Sequence, residues 1–194
     1  MAKTKTSDRS YRDAEWLKKY ADKGLWYGAI AKMVDISEST IVKHMIKNNV
    51  YTIVPEEIHS AALKNSIETG AICFFILMGN PVIKKNSQTN FNGMRLPNKR
   101  YAPFEEYHLA YFKKYFPAFI PNDPPYTLKF NFYRDSKRRV DISNLYEAPQ
   151  DILVRAGIIP DDHCGIIASH HSDSRVKYDI EFPRTEIFFY NAKS

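Results

Sequence analysis

The chain carries the stretch RRVDISNLYE at residues 138–147, followed by Asp151 and then by GIIPDD at residues 157–162. Acidic residues therefore recur at a strand end, on an expected helix and in the loop beyond that helix. Mg²⁺ and Mn²⁺ are hard cations that prefer charged oxygen ligands converging on one point. The stretch predicts a strand, turn, helix and loop unit that collects carboxylates for a divalent cation, and its two arginines indicate chemistry on a phosphate backbone.

The composition is that of a basic globular protein. Its 194 residues are enough for one full domain with a small appendage, and 44% of them are hydrophobic. The net charge of +6 favours a polyanionic partner such as nucleic acid. The longest apolar run, residues 71–78, is too short to cross a bilayer, and the first residues lack the apolar core of a signal peptide. We therefore expect a cytoplasmic protein with no membrane partner.

Residues 1–50 have the pattern of three short helices. The first is expected to begin at Ser10 and the second to span 26–33, while Ser37 caps a third helix over 38–47. The turn between the last two helices resembles that of a helix-turn-helix module, although Asp35 stands where glycine is common. In such a module the third helix would present basic residues, Lys43 and Lys47 among them, to a DNA major groove. The alternative is a small helical bundle used for protein contacts.

The rest of the chain changes to strand patterns after a connector. Residues 51–68 are expected to connect the two domains and to include one helix at most. Strands are expected over residues 71–78, 126–133, 166–170 and 185–190, with an aromatic-rich helix over 103–115. Strands interleaved with helices are typical of an α/β or α+β domain, here residues 69–194.

Four segments of this C-terminal domain occur in an order typical of one nuclease family. They are GNPVIKKNS at 79–87, DISNL at 141–145, DIL at 151–153 and AGIIPDD at 156–162. From about Phe74 to Phe189 the chain resembles the RusA family of Holliday junction resolvases, which are small phage and bacterial endonucleases. The resemblance implies a homodimer whose α/β (α+β) RusA-like domain has a mixed sheet and flanking helices. It also implies cleavage of branched DNA with Mg²⁺ or Mn²⁺.

The family's acidic site maps onto Asp141 and Asp162, which we assign as catalytic metal ligands. The better-known members carry a second aspartate and a helical lysine at the positions of Ser143 and Glu147. Because Mg²⁺ needs a compact oxygen shell rather than one particular residue, Glu147 could restore the missing carboxylate. Asp161 is a further candidate ligand.

Three neighbouring residues are expected to support this site. Ser143 is a neutral ligand, a hydrogen-bond donor to a ligand or, in the preferred interpretation, the N-cap of the helix. Asn144 closes a turn or orients a ligand, and Asp151 braces the site or joins it. Pro149 is expected to bend or interrupt the helix just before it, because a mid-helix proline costs about 3 kcal/mol.

Basic residues in two polar loops are the expected DNA contacts. Arg138 and Arg139 stand next to the acidic site and could hold the scissile strand. A second group lies between the first strand and the aromatic helix and could neutralise phosphates, namely Lys84, Lys85, Arg95, Lys99 and Arg100. For any one of these residues alone, a solvated surface charge is the simpler interpretation.

The sequence therefore predicts a metal-dependent, structure-selective endodeoxyribonuclease that resolves Holliday junctions or related branched DNA by phosphodiester hydrolysis. The N-terminal extension would add affinity for DNA or direct the enzyme. The alternative is a DNA-binding or recombination-accessory protein that lost catalysis with the missing aspartate. A transcriptional regulator with a sensory C-terminal domain is disfavoured, because a sensor does not need this acidic cluster.

Overall fold

The computed structural model describes residues 10–84, 89–91, 94–96, 100–117, 121 and 124–192. The chain divides into two compact units, Met1–Ile53 and Val54–Ser194. The described residues form six α-helices, one short 3-10 helix and seven strands, so the protein is of the mixed α+β class. In this part of the chain no helix is both long and apolar enough to cross a membrane.

The first unit contains a 3-10 turn and three helices around a small apolar core. The elements are the turn Ser10–Arg12, α1 Ala14–Ala21, α2 Tyr27–Val34 and α3 Glu38–Lys47. Leu17, Ile30 and Ile41 lie at their contacts and are fully buried. Their spacing along each helix places one apolar side toward the others, which stabilises helices too short to persist alone.

The helix starts in this unit depend on short polar side chains. Ser37 caps α3 as predicted, since its Oγ accepts a hydrogen bond from the Thr40 backbone N–H at 3.2 Å. The prediction that Ser10 begins the first helix is wrong. Asp13 is the N-cap of α1, and its Oδ1 accepts the Trp16 N–H at 2.8 Å. Ser10 instead begins the 3-10 turn, and its carbonyl accepts the Asp13 N–H.

The second unit is a sheet with helices on both faces. Its elements in chain order are α4 Glu56–Thr69, β1 Cys73–Met78, β2 Thr89–Phe91, β3 Met94–Leu96, α5 Tyr101–Tyr115, β4 Tyr126–Arg134, α6 Ser143–Arg155, β5 Ile167–His170, β6 Arg175–Tyr178 and β7 Arg184–Asn191. The five-stranded sheet has the order β1-β7-β4, with β5 and β6 following each other along the outer edge of β4. Strands β1 and β4 are antiparallel to β7, whereas β5 and β6 are parallel to β4, so the sheet is mixed. Strands β2 and β3 form a separate hairpin.

One face of the sheet packs against α5 and α6. The Tyr146 ring of α6 lies 5.1 Å from the Phe130 ring and 5.7 Å from the Phe132 ring of β4. Phe75 of β1 contacts Phe112 of α5 with ring centroids 5.3 Å apart. The aromatic side chains that the sequence places on alternate positions of these strands therefore form the main core.

The other face of the sheet is partly covered by α4. Ala62 of this helix packs with Ile76, Met78 and Phe188 of β1 and β7. The segment 51–68, expected as a connector, thus supplies a helix that belongs to the second unit. The packed side of α4 carries Ile58 and Ala62, while Leu63 and Ile67 on other sides of the helix are exposed, which explains why its sequence pattern is faint.

Pro149 does not interrupt α6, although a break or bend was expected there. Residues 143–155 form one helix with Pro149 inside it. Leu145, Ala148 and Ile152 are almost completely buried on one side of this helix. Burial of Leu145 and Ile152, worth about 1.5–3 kcal/mol each, offsets the cost of about 3 kcal/mol for a proline inside the helix.

Candidate active site and DNA-contacting residues

The Asp141 carboxylate lies exposed just before the first turn of α6. The Asn144 side-chain amide donates to Asp141 Oδ2 at 3.5 Å, and the Asn144 backbone N–H donates to the Asp141 carbonyl at 3.1 Å. Asn144 thus both closes the turn and orients the carboxylate. The preferred role of Ser143 as N-cap is wrong, because Ile142 occupies that position without a side-chain cap and Ser143 is the first helical residue. The turn begins one residue early, with the Leu145 N–H already bound to the Ile142 carbonyl.

Glu147 and Asp151 follow on the outer side of α6, four residues apart. This spacing places their β-carbons about 5–6 Å apart on one helix face. Both side chains are partly exposed. Asp151 forms an ion pair with Lys84 and accepts a hydrogen bond from the Tyr101 hydroxyl at 3.3 Å. Asp151 therefore anchors the segment after β1 to α6, and the charge of Lys84 is used within the chain.

Tyr101 extends this anchor into a polar cluster between α5 and α6. Its hydroxyl donates to Glu105 at 2.6 Å, and Glu105 forms an ion pair with Arg155 at the end of α6. Burial, together with the Glu105 and Asp151 carboxylates, raises the pKa of the Tyr101 hydroxyl well above its usual range. The hydrogen bond to Glu105 is the main cause that raises the pKa of Arg155. Tyr101 and Glu105 have the i, i+4 spacing of one helix face, but nothing in the sequence relates this pair to Asp151 and Arg155 of α6.

Asp161 and Asp162 lie beyond the other end of α6 and are exposed. The Asp162 backbone N–H donates to Asp161 Oδ1 at 2.7 Å, which lowers the pKa of Asp161. The Ile159 N–H is bound to the Leu153 carbonyl, so the chain stays near the helix end before these acids. A helix of 13 residues is about 20 Å long. Asp141 and the Asp161–Asp162 pair therefore belong to opposite ends of α6.

The carboxylates of these acids are suitable ligands for a divalent cation, but in the described structure they do not surround a common point. Among the described residues, no three His, Cys, Asp or Glu side chains come together closely enough to hold a metal ion. Mg²⁺ is commonly bound by only one or two carboxylates and completes its octahedron with waters and substrate phosphates. The exposed Asp141 carboxylate fits such an open site. That Asp141, Glu147, Asp161 and Asp162 share one metal stays a prediction.

The expected DNA-contacting residues of the second unit lie in different settings. Arg138 and Arg139 are exposed in the loop between β4 and α6, where the Arg134 guanidinium binds the Arg138 carbonyl. Arg100 is exposed at the start of α5, and Arg95 belongs to β3. Lys85 and Lys99 lie outside the described residues.

The turn between α2 and α3 has a left-handed residue at its start. Asp35 has φ 55° and ψ 45°, and its backbone N–H binds the Ala31 carbonyl. Aspartate is one of the few residues other than glycine that tolerate this conformation. Lys43 and Lys47 are exposed on α3, whereas the His44 ring lies edge-on to Tyr11 at 5.3 Å. Burial, with Arg12 and Lys47 nearby, lowers the pKa of His44.

Comparison with known proteins adds no relative. No protein-family model matches this chain, and no curated protein matches it at a significant level of similarity.

Proposed function

We propose that this chain is a metal-dependent endodeoxyribonuclease that cuts Holliday junctions or related branched DNA. The observation that carries the proposal is the exposed Asp141 carboxylate at the start of α6, directly after the exposed Arg138 and Arg139. Within the described residues its side chain has only the Asn144 amide as a partner. This carboxylate forms no ion pair with a described residue, and it lies next to a basic loop. Such a position suits a divalent ion that must also bind a phosphate.

The proposed ligands of Mg²⁺ or Mn²⁺ are Asp141 and Glu147 near the start of α6, and Asp161 and Asp162 beyond its end. One ion would be shared by all four only if the loop over 156–162 moved toward Asp141. A bound ion would polarise a non-bridging phosphate oxygen and favour attack of a water on phosphorus, with cleavage of the bond to the deoxyribose oxygen on the opposite side. Arg138 and Arg139 hold the phosphates on either side of the scissile bond, while Asn144 keeps the Asp141 carboxylate in one orientation. The ion pair of Lys84 with Asp151 fixes the segment after β1 against the outer side of α6.

The first unit is proposed to act as a helix-turn-helix module that binds duplex DNA. Support comes from α2 and α3, which are joined by a short turn with Asp35 in the left-handed conformation, and from Lys43 and Lys47 on the exposed side of α3. These lysines would contact phosphates and so add affinity that falls with salt. By resemblance to the RusA family, we further propose a homodimer that works in the cytoplasm.

The test is cleavage of a synthetic four-way junction, beside a linear duplex, by Asp141→Asn and Asp162→Asn. Each change removes a negative ligand with little change in shape, so cleavage should disappear while junction binding in EDTA is retained. Asp22→Asn changes an exposed aspartate in the first unit and serves as the control, with full activity expected. Normal turnover by either site variant would show that the assigned site is wrong.

Substitution of Glu147 tests whether its carboxylate has replaced the missing aspartate. If it has, Glu147→Gln should lose about as much activity as Asp141→Asn and regain part of it at high Mn²⁺, which binds oxygen sites more tightly than Mg²⁺. Ser143→Ala should lose far less. The double variant Ser143→Asp with Glu147→Lys recreates the common family arrangement and should keep measurable cleavage. Full activity of Glu147→Gln would leave Glu147 a solvated helical acid.

A second candidate is a DNA-binding accessory protein without catalysis. It is favoured by the finding that no three metal-binding side chains converge among the residues that the structure describes. This protein would bind the junction in EDTA as tightly as a nuclease would. It would produce no cleavage at any concentration of Mg²⁺ or Mn²⁺, and the same assay therefore separates the two functions.

A further inference from the structure

Strand β6 and the loop after β4 form one surface on which cations alternate with exposed apolar side chains. We call it the β6 surface, defined by Lys137, Arg138, Arg139, Val176 and Tyr178. All four residues of β6 are exposed, and Tyr178 and Val176 remain 47% and 39% accessible. Large apolar side chains on an edge strand that is otherwise basic indicate a surface with a partner.

The pairing of β6 with β4 determines which face of the sheet each of these side chains occupies. Because β6 is parallel to β4, with Val176 beside Phe132 and Tyr178 beside Arg134, the two apolar side chains share the sheet face of α6. Lys177 points to the opposite face, where its ammonium lies 3.3 Å from the Tyr133 hydroxyl. Tyr178 thus lies past Phe132 in the direction of the loop that ends at Asp141.

Lys137 and Tyr178 form a cation–π pair at the end of β6. Its ammonium lies 5.1 Å from the centre of the Tyr178 ring. A nucleic acid strand repeats a base and a phosphate. The Tyr178 ring can stack on a base, and the nearby Lys137 ammonium can meet the adjoining phosphate. Arg138 and Arg139 continue the positive charge along the chain toward Asp141.

The charge of the β6 surface is not neutralised by nearby acids of the described residues. Asp173 is bound to Arg175, and Asp179 is bound to the buried Arg184. None of the three cations of the β6 surface forms an ion pair with a described carboxylate. The surface therefore has an excess of positive charge that complements a polyanion.

We infer that the β6 surface binds single-stranded DNA, with one base stacked on Tyr178 and the adjoining phosphates on Lys137, Arg138 and Arg139. Duplex bases present only their edges, so an exposed ring stacks on bases of an unpaired strand, and every base offers a π face for this contact. The inference rests on the proposed function in one respect, since it takes bases that become unpaired where a branch point opens as the part of the substrate that leads to Asp141.

A second copy of the chain is a poorer occupant of this edge. Two β6 strands pairing edge to edge would bring Arg175 and Lys177 of both copies together, and cationic side chains on an edge strand oppose such pairing. Charge complementarity therefore favours the polyanion.

The experiment measures fluorescence anisotropy of a labelled 20-nucleotide oligo-dT and of a labelled hairpin duplex, with the full-length chain in EDTA. Tyr178→Ala should weaken oligo-dT binding by about 5- to 150-fold, which is the range for loss of one stacked base. Tyr178→Phe should retain binding, and neither change should alter duplex affinity more than twofold. Lys137→Gln should reduce the slope of log affinity against log salt by about 0.7 for oligo-dT.

Tyr115→Ala is the matched control. Tyr115 is 49% exposed and has the Lys114 ammonium 4.8 Å from its ring centre, so it reproduces the ring and the cation of Tyr178 in a different part of the fold. Its replacement should leave oligo-dT binding unchanged. Circular dichroism confirms that each variant is folded.

Three results would overturn the inference. They are unchanged oligo-dT affinity in Tyr178→Ala, an equal loss of oligo-dT and duplex affinity, and conversion of a dimer to a monomer by Tyr178→Ala in light scattering. Failure of the nuclease proposal gives a different pattern, in which the Tyr178 effect persists although no metal supports cleavage. Cleavage by the wild type with an unaltered Tyr178→Ala affinity would refute the β6 assignment alone.

Discussion

Arg184 should be far more important for stability than its single charge suggests. Its Nε binds Glu186 at 2.9 Å and its Nη1 binds Asp179 at 2.8 Å, and only 8% of the Arg184 side chain and 6% of the Glu186 side chain are exposed. The guanidinium also lies 3.5 Å from the centre of the Tyr133 ring. Arg184→Met leaves the buried Glu186 carboxylate with the Asn131 amide, 3.2 Å away, as its remaining partner. We expect a loss of about 3–5 kcal/mol in the free energy of unfolding.

Removal of both charges should cost less than removal of one. In Arg184→Met with Glu186→Leu no buried charge is left alone, and the remaining penalty is the unpaired Asn131 amide and the freed Asp179, about 1–3 kcal/mol. The control is Arg175→Met, which breaks an ion pair of similar length, 3.0 Å, whose side chains are 55% and 59% exposed. That change should cost at most about 1 kcal/mol.

Urea unfolding followed by far-UV circular dichroism measures these differences. Both tryptophans of the chain, Trp16 and Trp26, lie in the first unit, so tryptophan fluorescence follows that unit separately. A cost below about 1 kcal/mol for Arg184→Met, or a double variant as unstable as the sum of the single ones, would refute the reasoning.

Three further predictions concern the turn, a buried histidine and the third helix. Asp35→Val should destabilise the first unit by about 1–2 kcal/mol, because a β-branched residue is strained at φ 55°, whereas Asp35→Gly should not destabilise it; thermal melting followed by tryptophan fluorescence decides this. Burial lowers the pKa of His108 from 6.5 to about 4, so the unfolded chain binds the extra proton and stability should fall by about 3 kcal/mol as the pH drops from 7 to 4. Urea titrations at several pH values should show a smaller fall in His108→Gln, and an equal fall would contradict the assignment. Replacing Lys43 and Lys47 by glutamine should reduce the salt slope of duplex binding by about 0.9 per lysine, and an unchanged slope would argue against phosphate contacts.

The sequence predicts elements best where a polar cap and an apolar stripe agree. Helix α3 spans 38–47 as expected, since Ser37 and Asn48 mark its ends and Ile41 and Met45 mark its buried side. Strand β6 was not expected, because all four of its side chains are exposed and its position depends on backbone pairing with β4. Its residues alternate between polar and apolar, as RVKY, but four residues with no buried side chain are too short a signal to identify a strand.

The residues of the candidate site could be predicted from the sequence, but their arrangement in space could not. The acids at 141, 147, 161 and 162 were identified from their order along the chain, whereas their separation depends on α6 continuing past Pro149. The ion pair of Lys84 with Asp151 joins positions 67 residues apart, and only the packing of the segment after β1 beside α6 brings them together. Long-range contacts of exposed polar groups have no local signal in the sequence.

The outer edge of the sheet is divided between two strands of four residues, β5 and β6, which share β4 as their neighbour. Because β6 buries none of its side chains, its detachment exposes little apolar surface, and its opening free energy should lie well below that of β4 or β7. Amide hydrogen exchange would therefore be fast along β6 and slow along the central strands at the same pH. Strand β6 can therefore detach from β4 by local unfolding while the aromatic core remains packed.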